Sequence, residues 1–162
     1  MERTDRRIYR KKEKAQGMVE FALTLPILLM LFFGIIEFGR LLFFYSVVVT
    51  SAREAARYGS AAGYAVGSTA YYQDCDGIRA AALRVGKLVG IQNSSIDIPI
   101  TYDSGPGTSS LGSCPVPALD LGDRIIVTVN ATFQPVVPIV NVPAITLQSE
   151  AKRTILTDVV IK

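Results

Sequence analysis

Histidine and tryptophan are absent from the chain, and cysteine occurs only at Cys75 and Cys114. Without histidine there is no Ser-His or Cys-His hydrolase pair, no histidine ligand for zinc and no imidazole general base. Two cysteines alone make a poor thiolate metal site. No metal and no cofactor are expected. No set of nucleophile, base and oxyanion donor can be named from the remaining residues, so the chain reads as a protein without enzymatic activity. Charge is also missing from one long stretch, since no ionisable side chain occurs from Phe21 to Ile36.

That stretch, Phe-Ala-Leu-Thr-Leu-Pro-Ile-Leu-Leu-Met-Leu-Phe-Phe-Gly-Ile-Ile, makes about 24 Å of helix at 1.5 Å per residue. Continuing past Glu37 and Arg40 through Leu41 to Tyr45 brings the apolar length to about 36 Å, enough to span a bilayer with tilt. One crossing is expected, with membrane lipid as the first partner. Residues 1–14 ahead of it carry seven basic and three acidic side chains, net +4, while the rest of the chain is −1. A basic tip before an apolar run follows the positive-inside pattern better than a nucleic-acid site, so the tip is assigned to the cytoplasm and no nucleic-acid partner is expected. A cleavable secretory signal shares this layout. Against it stand the length of the run, Glu37 and Arg40 directly after it, and the lack of a small-residue cleavage site there.

Helical sequence continues through Ser46 to Tyr58 without proline. Ala52, Ala55, Ala56 and Gly59 recur at helical spacing and make a small-residue stripe, a face that another element can approach closely. The spacing of Glu54 and Arg57 permits an ion pair. The chain divides into a polar leader, flexible or frayed as helix, over residues 1–15, a long helix over 16–62 that spans the membrane in its first half, and an extracytoplasmic α+β domain over 63–162. In that domain Gly77 to Val89 has amphipathic helical spacing. Ser95 to Tyr102, Arg124 to Phe133 and Ile145 to Ile161 are the strand candidates, three runs that suit an antiparallel sheet. Asp103 to Asp120, rich in glycine, serine and proline, is expected as a loop, and the prolines of Gln134 to Pro143 exclude a central strand there. A disulfide between Cys75 and Cys114 would pin that loop; two buried free thiols are the alternative. Asp74, Asp76, Asp120 and Asp123 near the cysteines would bind calcium only if the bridge gathered them, and with no recognisable ligand loop they read as solvated loop acids. Asn93 and Asn130 open glycan-acceptor triplets, a pattern common by chance.

Ionisable groups at or inside a bilayer need partners, which singles out Glu20, Glu37 and Arg40. Glu37 and Arg40 are three residues apart and can neutralise each other at the headgroup level, or they can pair between neighbouring subunits. Pro26 removes a helical N–H and is expected to bend or locally melt the crossing, which would make it a helix joint.

The run Gln16-Gly17-Met18-Val19-Glu20-Phe21-Ala22-Leu23-Thr24-Leu25-Pro26, followed by Phe33-Gly34-Ile35-Ile36-Glu37-Phe38-Gly39-Arg40 and by Ser51-Ala52-Arg53-Glu54-Ala55-Ala56-Arg57, resembles the TadE-like family of tight-adherence pilus assembly proteins. The resemblance covers about the first third of the chain. It implies a pilin-like α+β protein, with a long N-terminal transmembrane helix followed by a small outer domain holding a short helix and an antiparallel sheet. It also implies processing by a prepilin peptidase and work alongside other pilin-like subunits and the tight-adherence secretion machinery. In pilin-like proteins a glutamate stands fifth in the mature chain, and that spacing applied to Glu20 puts the cut between Ala15 and Gln16. Alanine here stands where glycine is usual before the cut. A cleaved chain would offer a new α-amino group for Glu20 of a neighbouring subunit to neutralise; without cleavage, Lys12 or Lys14 would serve and Glu20 would be an interfacial anchor.

The expected function is a structural, membrane-anchored pilin-like subunit, a minor pilin or pseudopilin in assembly of a tight-adherence pilus. A principal filament subunit that self-assembles is the alternative in the same class. A membrane-tethered module whose outer sheet binds a ligand is the alternative from another.

Overall fold

A computed structural model describes residues 3–94, 96–116, 118–136 and 142–156. The first helix, α1, runs from Arg3 to Gly59. Its backbone is already helical in the basic leader expected to be flexible or frayed. Helix also continues through Pro26 without interruption, so the local melting expected there does not occur. The chain divides into two compact units. One comprises residues 1–40 with 136–141, and the other residues 41–135 with 142–162.

In the first unit, α1 presents large apolar side chains to its surroundings. Met18, Phe21, Leu23, Ile27, Leu31 and Phe38 are each more than half exposed. Residues 16–59 of α1 make one helix long and apolar enough to cross a membrane.

The second unit is built on the last turns of α1. Val47, Val48, Ala52, Ala55 and Ala56 are buried in its core. The small-residue stripe therefore packs against the chain's own α+β domain. Small side chains let the sheet and second helix approach α1, and at Gly59 an added Cβ would run into Ile125 and Ile78. The second helix, α2, spans Cys75–Gly86 and is followed by a single 3-10 turn, Lys87–Val89, which together cover the predicted helix. Asp74 caps α2 by accepting from the Gly77 N–H at 2.9 Å. The turn ends on Gly90 in the left-handed region (φ 77°), where glycine carries no Cβ penalty.

Four strands, not three, form one antiparallel sheet in the order β2-β1-β3-β4: β1 Ile100–Asp103, β2 Ser110–Ser113, β3 Arg124–Phe133 and β4 Ile145–Thr154. β3 matches its predicted bounds because its alternation is strict. Ile125, Val127, Val129, Ala131 and Phe133 point into the core, and the residues between them lie outward. Its full length pairs with β4, from Arg124 opposite Thr154 to Phe133 opposite Ile145. The Phe133 ring packs edge-on against Phe44 of α1, centroids 5.1 Å apart.

Two strand predictions are corrected. The run from Ser95 to Tyr102 becomes strand only at Ile100. Ahead of it the Asp97 N–H donates to Ser94 Oγ and the Ile98 N–H to the Ser94 carbonyl, forming a turn that leaves Ile96 81% exposed. The Asp97 and Pro99 carbonyls still accept from Asn130 and Thr128 of β3, but Pro99 has no N–H to return to the ladder. The Asp103 to Asp120 stretch, expected as loop, contains β2, which pairs with β1 through a register shift between Tyr102 and Asp103. β4 ends at Thr154, short of the predicted Ile161; residues 157–161 lie outside the described set.

Tyr102, fully buried, donates its hydroxyl to the Tyr72 carbonyl, and burial pushes its phenol well above the ordinary tyrosine range. Cys75 at the start of α2 is bonded to Cys114 just after β2, with Cα atoms 5.8 Å apart. The bridge selects the disulfide over the free thiols, and among the described residues no free cysteine remains. It ties the loop after β2 to the helical layer, as expected.

Candidate functional site

Two carboxylates bracket the uncharged part of α1. Glu20 and Glu37 are 17 residues apart, about 26 Å along an α-helix and close to the roughly 30 Å of a hydrocarbon core. Their surroundings differ. Glu20 is exposed, and its carboxylate has no hydrogen bond or ion pair among the residues whose side chains are described. Lys12 and Lys14, its sequence-level candidate partners, lie outside that set, as does the Ala15 side chain at the expected cut; Gln16 is exposed on α1. Thr24 Oγ1 donates back to the Glu20 carbonyl. Two residues on, Pro26 leaves the carbonyl of Ala22 without its usual helical donor.

Glu37 is half-buried and satisfied within the chain. Arg40 Nη1 donates to its two carboxylate oxygens at 2.8 and 3.0 Å, an i,i+3 pair. The backbone N–H of Val136 donates to Oε1 at 3.0 Å. The intrachain pairing expected of Glu37 and Arg40 is therefore made. Val136 was not foreseen, because a backbone donor 99 residues away has no side-chain signature. The available signal was the uncharged aliphatic stretch around it.

Further out, Tyr58 near the end of α1 donates its hydroxyl to Asp74 Oδ2 at 2.7 Å, while the other carboxylate oxygen of Asp74 caps α2. One carboxylate thus joins the two helices. The hydrogen bond to Asp74 is the main reason the Tyr58 phenol is pushed up to about 12, with burial adding to it. Three of the acids considered for calcium have protein partners: Asp74 accepts from Tyr58 and Gly77, Asp76 faces Arg79 at 3.7 Å, and Asp123 Oδ2 accepts from the Asp120 N–H at 2.9 Å. Among the described residues no group of three or more metal-ligating side chains comes together. An open pocket of about 460 Å³ lies beyond the end of α1, lined by Tyr64, Tyr72, Gln73, Asp120, Leu121 and Leu156. Tyr64 and Leu121 are each 65% exposed there.

The apolar helix carries two carboxylates, Glu20 without a partner among the described side chains and Glu37 satisfied within the chain, and the outer domain is closed by a disulfide. No curated protein and no solved structure matches the chain. The family described as TadE-like protein matches residues 15–57, the part of α1 that holds Glu20, Pro26, Glu37 and Arg40.

Proposed function

We propose that this protein is a single-pass membrane subunit of minor pilin or pseudopilin type, acting in assembly of a tight-adherence pilus. Its basic leader lies in the cytoplasm and its α+β domain outside. The observation that carries this reading is the change in character of α1 along its TadE-like segment. From Met18 to Phe38 it exposes large apolar side chains, whereas from Val47 to Ala56 its inward residues form the core of a domain. A helix of that kind holds a folded domain at a membrane.

In this reading Glu20, exposed and without a partner among the described side chains, docks against a cation on a neighbouring pilin-like subunit. Removal of the leader between Ala15 and Gln16 by a prepilin peptidase supplies that cation as a new α-amino group. Pro26 weakens the hydrogen-bond ladder where a subunit leaves the bilayer.

Mass spectrometry of the intact native protein tests processing, with a mature chain starting at Gln16 as the expected result. Fractionation tests the role: an assembly subunit stays with membranes, whereas dominance in sheared surface fibres would mark a principal filament subunit. Glu20→Ala is expected to impair pilus formation. A Glu20→Ala cell with normal pili would sink the assembly role of this carboxylate.

A tethered ligand-binding module is the second reading, favoured by the open pocket beside Tyr64 and Leu121. Under it, Glu20→Ala leaves surface structures unchanged, and substitutions at Tyr64 or Leu121 abolish ligand capture.

A further inference from the structure

From Ile125 to Ser149 the chain has no charged side chain, and five of the ten residues from Pro135 to Ala144 are valine or isoleucine. Asn141 is the single polar side chain among those ten. Soluble loops seldom have this composition, because their surface position favours polar residues. Val136, in this stretch, is 72% exposed, and its N–H is bound to Glu37 at 3.0 Å.

We propose that Val136, just beyond β3, is a second lipid contact, seated at the headgroup-to-acyl boundary beside α1. The proposal rests on the reading of α1 as a membrane crossing. Glu37 sets the depth. It directly follows the uncharged run, and an ionised carboxylate paired with Arg40 belongs at the headgroup level rather than in hydrocarbon. A backbone N–H held at 3.0 Å from that carboxylate places Val136 at the same level. Composition suits the position. Pro135, directly before Val136, has no N–H to leave unsatisfied in a low-dielectric layer, and the absence of charge in the sequence on either side spares the cost of desolvating one. Exposed apolar side chains at this depth contribute binding in proportion to the area they bury among acyl chains.

The same bond explains the tolerance of Glu37 so near the apolar run. Arg40 supplies charge and Val136 supplies a second donor, so the carboxylate needs no neighbouring subunit to be satisfied.

The test uses the full chain with its disulfide intact, reconstituted in vesicles of phosphatidylethanolamine and phosphatidylglycerol. A single added cysteine carries an environment-sensitive dye, at Val136→Cys, at Leu29→Cys within the apolar run, or at Gln148→Cys on the exposed face of β4. The dye at position 136 is expected to emit to the blue of that at 148. It should be quenched by lipid bearing a nitroxide near the headgroup, and several-fold less than position 148 by aqueous iodide. Position 29 is expected to respond to a nitroxide deep in the acyl chain. If position 29 is protected in lipid while 136 is quenched by iodide as readily as 148, Val136 lies in water or on a protein and this inference fails, with the crossing intact. If position 29 is also open to iodide, the crossing fails and takes the inference with it. Adding Glu37→Ala to the Val136→Cys chain should raise iodide quenching at 136 and leave the Leu29→Cys signal unchanged. No rise at 136 would overturn the part assigned to Glu37.

Discussion

Asp103 and Arg124 stand opposite each other where β1 ends and β3 begins, and Arg124 Nε and Nη2 each donate to a separate carboxylate oxygen of Asp103 at 2.7 Å. The fork geometry matches a planar carboxylate, and both side chains are largely covered, 18% and 11% exposed. The Arg124 guanidinium holds the Asp103 carboxyl below the usual aspartate range; burial works against it, and the Gly105 N–H adds to the lowering.

Acid should therefore weaken the domain through this residue. The folded state depresses the Asp103 pKa, so its contribution is complete above the unfolded value near 4 and is lost as pH falls through the lower folded value. Asp103→Asn should lower the urea midpoint at pH 7 and flatten the fall in stability below about pH 4. Unfolding curves in detergent, followed by far-UV circular dichroism, provide the check. An unchanged acid limb would assign that loss to other carboxylates.

Alkali acts through a different pair. Tyr58 is neutral while it donates to Asp74, and its pKa is raised to about 12, so its contribution holds below the ordinary value near 10 and disappears as pH rises through about 12. Ultraviolet titration should show a tyrosinate step near 12 that Tyr58→Phe removes. Gly77→Ala strikes the same junction, since a Cβ there would fall on the Asp74 carboxylate and 2.5 Å from the Tyr58 hydroxyl. Loss of the cap should cost about 1 kcal/mol. A wild-type titration without a late step would separate Tyr58 from Asp74 in solution.

How much of this was legible in sequence depended on whether a signal was local. α1 shows itself in its uncharged run and its helical spacing onward to Tyr58, and β3 in strict alternation, because each carries its own periodicity. β2 does not. Ser110-Leu111-Gly112-Ser113 is mostly exposed, has no β-branched residue and holds Gly112 at φ 130°, so it is a strand only because β1 lies beside it. The isoleucine alternation of Ile96, Ile98 and Ile100 did suggest strand, but the local hydrogen bonds of Ser94 and the missing N–H of Pro99 override it at its start. At the candidate site Glu20, Glu37 and Arg40 are visible as ionisable residues beside apolar ones. The Val136 donor, distant in sequence, is not.

The alanine stripe yields a prediction that separates internal packing from subunit docking. Ala52 and Ala56 are completely buried within the chain's own domain. Ala52→Leu should therefore overpack the core and cost about 1–3 kcal/mol, seen as a lower urea midpoint for the monomer in detergent. Were the stripe a docking face open in the monomer, leucine would leave that midpoint in place and alter assembly alone.

Reducing the cystine should loosen the outer domain without touching the apolar part of α1. Cys75 and Cys114 are 39 residues apart, and in the chain-entropy model a loop of that size stabilises the fold by about 4 kcal/mol. The Cys75→Ser/Cys114→Ser chain should lose about that much in a urea titration, a large share of the 5–15 kcal/mol typical of a domain. The bridge joins the start of α2 to the loop after β2, so amide exchange should accelerate first in Asp74–Gly86 and in residues 110–116, and last in β3. Exchange in the apolar run from Phe21 to Ile36 should stay as slow as before, because the bridge closes no loop that contains it. Faster exchange along that run as well would mean that the state of the cystine reaches the apolar part of α1.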